Sequence, residues 1–156
     1  GHQVLTTLHT NSAIGAIPRL LDIGVLPDIM TGNIIGVISQ RLIRLLCPHC
    51  KKETMSDVID SKLLQVNEPV KIYEPAGCEH CENTGYKGRI SVIEALTIED
   101  ELDELIAKRA TLGELKECAA RTGYKTLADD SIRIVLAGLT SLQEVSRVID
   151  MTQRLR

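Results

Sequence analysis

The chain has 156 residues, a formal net charge of −3 and a composition that is 44% apolar but only 2% aromatic, with no Phe or Trp and three Tyr. Such a chain buries roughly 70% of its unfolded surface, which supports one ordinary domain or two small ones around a core of Leu, Ile, Val and Ala. The acidic balance argues against general attraction to nucleic acid or anionic lipid. No apolar run approaches the roughly 20 residues that span a bilayer, because residues 34–46 are interrupted by Ser39, Gln40, Arg41 and Arg44. With nothing that resembles a signal peptide, the expected setting is cytoplasmic.

Residues 3–8 form a short β-prone run that passes through His9, Thr10, Asn11 and Ser12 into a helical pattern. A strand leading through a polar turn into a helix is the βα unit of an α/β sheet, and it needs neighbouring strands that this chain does not supply nearby. The chain is therefore expected to start inside a larger α/β domain. Ligands of open α/β sheets bind at the carboxyl ends of strands, so His9, Thr10 and Asn11 are functional candidates. Asn11 or Ser12 could equally cap the helix, with His9 only a polar turn residue.

The helix is expected to reach Ile23, with Ile14, Ile17, Leu20 and Leu21 on one face and Gly24 as its stop. Pro18 should bend it unless it lies in the first turns. A second helix is expected from Pro27 to about Leu46, with Ile34, Ile35, Ile38, Leu42, Leu45 and Leu46 spaced for burial and Arg41 and Arg44 on the other side.

Next come two Cys-x-x-Cys knuckles, CPHC at 47–50 and CEHC at 78–81, separated by the 27 residues 51–77. Four thiolates in two such turns can close a tetrahedral shell on one zinc ion, so Cys47, Cys50, Cys78 and Cys81 are read as ligands of a structural zinc site with no open position for substrate. His49 and His80 could in principle replace a cysteine. The separation exceeds the usual ribbon spacing of about 15 to 20, so the pattern is more specific for metal than for a zinc-finger family. Lys51, Lys52, Lys87 and Arg89 are placed to compensate the charge of the cluster. Between the knuckles a short helix capped by Ser56 and a strand at 70–73 are expected, and a second strand at 89–96 comes after the glycine-rich loop.

From Thr97 onward a starting signal repeats: Thr97 with Asp100, Thr111 with Glu114, Thr126 with Asp129 and Ser141 with Glu144. Each pairs a hydroxyl cap with an acid three residues on. Four helices are expected, at 98–108, 112–121, 127–137 and 142–151. Cys118 stands alone in a helical pattern and reads as a small buried hydrophobe.

Together these motifs resemble the bacterial secretion and pilus-assembly ATPases, which power type II secretion and type IV pilus extension. Residues 1–11 (GHQVLTTLHTN) resemble that family's histidine box, and 19–24 (RLLDIG) resemble the segment just downstream of the box. Residues 40–50 (QRLIRLLCPHC) are similar to the approach to its four-cysteine metal domain. The knuckle at 78–81, the GYKGR at 85–89 and the GLTSLQEV at 138–145 complete the match in the family's order.

The resemblance implies an α/β fold, mostly α in this stretch: the C-terminal piece of a RecA-like core (1–46), an inserted four-cysteine zinc subdomain (47–90) and a C-terminal helical region (91–156). It implies that His9 lies near the terminal phosphate of ATP and that His2 is the box's other histidine. Thr10 and Arg41 are candidate nucleotide contacts. It further implies a homo-hexamer that uses ATP and Mg2+, set against the inner membrane by platform proteins of the machine. The four cysteines separate this chain from pilus-retraction relatives, which generally lack that domain, but do not separate secretion from pilus extension. No Gly-x-x-x-x-Gly-Lys-Ser/Thr loop occurs in the 156 residues, so the chain alone is expected to be inactive. The competing reading is a zinc-ribbon module that binds protein or nucleic acid without ATPase function; for nucleic acid it lacks the basic surface and exposed aromatics such modules use.

Overall fold

The computed structural model describes residues 2–155; Gly1, the first residue of the histidine-box motif, lies outside them. The chain divides into two compact units, one of residues 1–39 and 94–126, the other of residues 40–93 and 127–156. Strands β1 (Gly36–Leu46) and β4 (Tyr86–Thr97) pair with each other and contribute residues to both units.

In the first unit, residues 2–10 carry no regular secondary structure, and Val4 and Leu5 are exposed. The strand expected at 3–8 is not formed, for the reason its sequence suggested: among the described residues no partner strand lies alongside to take its hydrogen bonds. Helix α1 runs over Ala16–Asp22, so Pro18 falls in its first turn, where no intrahelical N–H is lost. The one-turn α2 (Pro27–Met30) starts on Pro27 as expected.

The expected helix at 27–46 is corrected. After α2 the chain turns through Thr31, Gly32 and Asn33 and becomes β1. Val37, Ser39, Arg41 and Ile43 face inward while Ile38, Gln40 and Leu42 are exposed, a period of two that overrides the helical spacing read from the leucines and isoleucines.

Helices α4 (Asp100–Ala107) and α5 (Leu112–Arg121) complete this unit, whose core gathers Ile14, Ile17, Met30, Leu102, Ile106 and Leu115. Cys118 is in that core at 1% exposure. Burial pushes its thiol up from the ordinary value, which keeps it the inert apolar group its pattern suggested.

The second unit holds β2 (Lys52–Met55) and β3 (Lys71–Glu74), antiparallel with Glu53 opposite Tyr73 and Thr54 opposite Ile72. Between them lies α3 (Val58–Leu64). Its cap is Asp57, in a reciprocal box with Asp60, and not Ser56. The Ser56 hydroxyl instead accepts the Val70 N–H and pairs with Ser61. Helices α6 (Leu127–Leu136) and α7 (Leu142–Val148) pack Ile134, Val135 and Val145 into a core with Ile43, Ile72 and Val92. No helix among the described residues is long and apolar enough to cross a membrane.

Candidate functional site

Both knuckles are held by the backbone before any side chain is considered. At the end of β1 the Leu46 N–H donates to the Leu139 carbonyl and the Cys47 N–H to that of Gly85, each at 2.9 Å. The chain then turns so that the N–H groups of Cys50 and Lys51 reach the Cys47 carbonyl, at 3.3 and 3.1 Å. In the second knuckle Cys78 is extended and residues Glu79–Cys81 form one 3-10 turn. Glu82 and Asn83 come next in the left-handed region, with φ of 52° and 59°.

This geometry brings the four sulfurs within 4.8 Å of one another. The Cys47–Cys78, Cys50–Cys81 and Cys78–Cys81 sulfur pairs are each 3.8 Å apart. A tetrahedron with zinc–sulfur bonds of about 2.3 Å has edges of about 3.8 Å, so the donor set fits a zinc ion in both chemistry and size. Backbone N–H groups aim at two of the sulfurs: Gly77 at Cys50, and Cys78 and Gly85 at Cys81, at 3.2 to 3.3 Å. Such donors spread thiolate charge and orient the ligands.

Two glycines make the close approach possible. A Cβ on Gly85 would lie 2.4 Å from the Pro75 Cβ, and one on Gly77 would lie 2.8 Å from the Asn83 carbonyl oxygen; both residues have positive φ.

The thiols of the second knuckle are driven apart. Burial, reinforced by the neighbouring sulfurs, pushes Cys78 up to about 11. At Cys81 burial pushes the same way, but the Cys78 and Gly85 N–H groups outweigh it and bring the thiol down to about 6. His49 and His80 stack on each other, with ring centroids 4.2 Å apart, and both are exposed. The site is thus a four-sulfur cluster with a histidine pair beside it. Lys51 does not serve as a free counter-charge; it donates to the Gly138 carbonyl at 2.7 Å and lies over the Tyr73 ring.

The segment 138–147 is stitched to the metal region by a network that the sequence did not announce. The Glu144 carboxylate, read only as the acid of a cap, accepts the Arg44 backbone N–H at 3.1 Å and the guanidinium groups of Arg44 and Arg147. Arg44 lies 4.1 Å from the centre of the Tyr86 ring, whose hydroxyl is 2.7 Å from that of Ser141. The Thr140 hydroxyl donates to the Arg44 carbonyl.

In the first unit, His2 and His9 are exposed, while Thr10 is half-buried and donates to the Ser12 carbonyl at 3.0 Å. Arg41, in the second unit, is half-buried and donates to the carbonyl of its neighbour Gln40. The turn after His9 and Thr10 is anchored by a residue that sequence reasoning passes over. Glu94, 2% exposed, accepts the Ala13 N–H at 2.7 Å and the Tyr124 hydroxyl. An acid placed between Val92 and Leu96 on the apolar phase of a strand is the available signal.

Residues 1–147 match the family model described as "Type II/IV secretion system protein". The chain is 42% identical to the type IV pilus assembly ATPase TfpB of Acinetobacter baylyi, over 97% of its own length and 27% of that protein's. Against the type IV pilus assembly ATPase PilB of Thermus thermophilus it is 43% identical, over 93% of this chain and 17% of the relative. Against the type II secretion system ATPase E of Vibrio cholerae it is 42% identical, over 95% of this chain and 30% of the relative. The chain thus spans less than a third of each of these proteins. With a match running over residues 1–147, through the four cysteines and into α7, the chain belongs to the type II/IV secretion system protein family.

Proposed function

We propose that this chain is the C-terminal portion of a hexameric ATPase that powers type II protein secretion or type IV pilus assembly from the cytoplasmic face of the inner membrane. The observation that carries the reading is identity of about 40% over nearly the whole chain to proteins named as ATPases of both machines. On this reading His9 and His2 act at the nucleotide with Thr10 as a further contact, Arg41 faces nucleotide or a neighbouring subunit, and a RecA-like core supplied by the remainder of the protein holds ATP and Mg2+. The exposed run around Val4 and Leu5 then pairs with strands of that core. Inner-membrane platform proteins of the machine receive the motion. The nucleic-acid reading loses ground to the family match.

Zinc at Cys47, Cys50, Cys78 and Cys81 would be a staple. Closed coordination by four thiolates supplies binding energy and no reactive position, so the metal holds the knuckles together while chemistry proceeds elsewhere.

In the whole ATPase, His9→Ala should lower the turnover rate far more than nucleotide affinity, measured by phosphate release and by equilibrium binding. An unchanged rate refutes the role given to His9. The 156-residue chain alone should release no phosphate above buffer, since it lacks a loop that cradles phosphates.

A further inference from the structure

Three segments of the first unit converge on the Glu94 side chain. The first is the turn after His9, Thr10 and Asn11. Its Thr10 hydroxyl bonds the Ser12 carbonyl, the Ser12 hydroxyl accepts the Gly15 N–H, and Ala13 and Ile14 are buried beneath it. The second is β4, which carries Glu94 on the same buried face as Val92 and Leu96. The third is the end of α5, where the chain turns back through Thr122 and Gly123 so that the Tyr124 N–H reaches the Ala119 carbonyl. One oxygen of Glu94 accepts both the Ala13 N–H and the Tyr124 hydroxyl.

A buried carboxylate needs donors, and each donor it takes becomes fixed in position. The Ala13 N–H lies between the polar turn and α1, ahead of the first intrahelical bonds, so Glu94 sets the point at which that turn ends. Tyr124 ties the same oxygen to the end of α5. A glutamate serving only to fill the core would be replaced at lower cost by Leu or Val, since burying a carboxylate is unfavourable without such partners.

We propose that Glu94, held by Tyr124, is a positioning residue for the histidine-box turn, fixing through the Ala13 N–H where His9 and Thr10 are presented. Its effect on turnover rests on the histidine-box reading above; its effect on the turn does not.

The first measurement is hydrogen exchange at the Ala13 N–H, monitored by NMR in the zinc-loaded 156-residue chain. Glu94→Ala and Tyr124→Phe should each lower Ala13 protection, by roughly tenfold in the former, while the Leu115 and Ala119 amides keep theirs. Glu94→Gln, which retains an acceptor oxygen, should restore part of the protection. If Glu94→Ala does not fold, Tyr124→Phe and Glu94→Gln carry the test. Unchanged Ala13 protection in the folded variants overturns the proposal.

The second measurement is steady-state turnover of the whole ATPase. Glu94→Gln and Tyr124→Phe should lower kcat several-fold with the KM for ATP unchanged, a split that a loss of folded protein would not mimic once active sites are counted. If both leave kcat unaltered while His9→Ala abolishes turnover, the positioning role is refuted. If His9→Ala leaves turnover intact, the histidine-box reading fails, and Ala13 protection alone decides whether Glu94 positions the turn.

Discussion

Glu144 and Arg44 form a pair in which one partner is fully buried and the other reaches solvent: the Glu144 side chain has 0% exposure, that of Arg44 41%. The carboxylate takes the Arg44 backbone N–H as well as its guanidinium, and Arg147 supplies a second guanidinium. Burial alone would push the carboxyl up. The hydrogen bonds from Arg147 and Arg44 outweigh it and hold the group down at about 2.

That shift has a definite sign in stability. Because the folded value lies below the ordinary one, the contribution is full above the unfolded value near 4.5 and is lost as pH falls toward 2. It amounts to roughly 3 kcal/mol at neutral pH. Glu144→Gln should therefore lower the urea midpoint at pH 7 and show a smaller loss between pH 5 and pH 2 than the parent chain. Comparing the two proteins at each pH separates the carboxylate from any loss of metal in acid. Parallel pH profiles would show that Glu144 is not the group responsible.

Zinc should be stoichiometric in the parent chain and fall well short of it in Cys78→Ser, measured by atomic emission. Removing one of four sulfurs leaves an incomplete shell, and structural zinc is worth on the order of 10 kcal/mol or more to small domains. Chelation of the parent chain should consequently unfold the second unit, seen as loss of amide protection in β2 and β3. Full zinc retention by Cys78→Ser would refute the four-thiolate assignment.

The parts of this fold that are legible in the sequence are those where chemistry and spacing act locally. Two Cys-x-x-Cys turns place their own sulfurs, and α5 starts at Leu112 because Thr111 and Glu114 complete the capping box within one turn. The stretch from 34 to 46 misleads because Ile34, Ile38, Leu42 and Leu45 fit a helical stripe, whereas in β1 Ile38 and Leu42 lie on the exposed face. Pairing with β4, which lies beyond both knuckles in the chain, decides for the strand, and a distant partner leaves no local mark. Glu94 and Glu144 are hidden for a related reason. Ala13, Tyr124 and Arg44 are remote in sequence, the one nearby donor, Arg147, is an ordinary i+3 neighbour, and an acid three residues after a serine looks like an ordinary cap.

Gly85 and Gly88 offer a matched comparison, because both have positive φ, of 77° and 83°, and lie three residues apart, Gly85 just ahead of β4 and Gly88 near its start. A methyl group on Gly88 meets only Leu45, at an ordinary 3.6 Å, whereas on Gly85 it would strike Pro75. Gly88→Ala should cost only the backbone strain of a left-handed alanine, about 1 kcal/mol. Gly85→Ala should cost more and also disturb the N–H directed at Cys81, so its zinc should pass faster to a chromophoric chelator. Equal chelator rates for the two variants would show that the Gly85 approach does not support the metal site.

Thr111 and Thr97 carry the same sequence signal and should respond differently to loss of the hydroxyl. Thr111 caps α5: its hydroxyl accepts the Glu114 N–H, and the Glu114 carboxylate returns to the Thr111 N–H at 2.7 Å. Hydrogen bonds from Thr111 hold the Glu114 carboxyl below its ordinary value, as a reciprocal box requires. At α4 the cap position is Glu99, with no side-chain bond to the helix, and Thr97 is the last residue of β4. Thr111→Ala should therefore cost about 1 kcal/mol and speed exchange of the first α5 amides, whereas Thr97→Ala should stay within about 0.5 kcal/mol of the parent. Thermal midpoints and amide exchange measured on the two variants side by side check this. A larger effect at Thr97 than at Thr111 would mean that the hydroxyl at 97 stabilises the chain through contacts other than a helix cap.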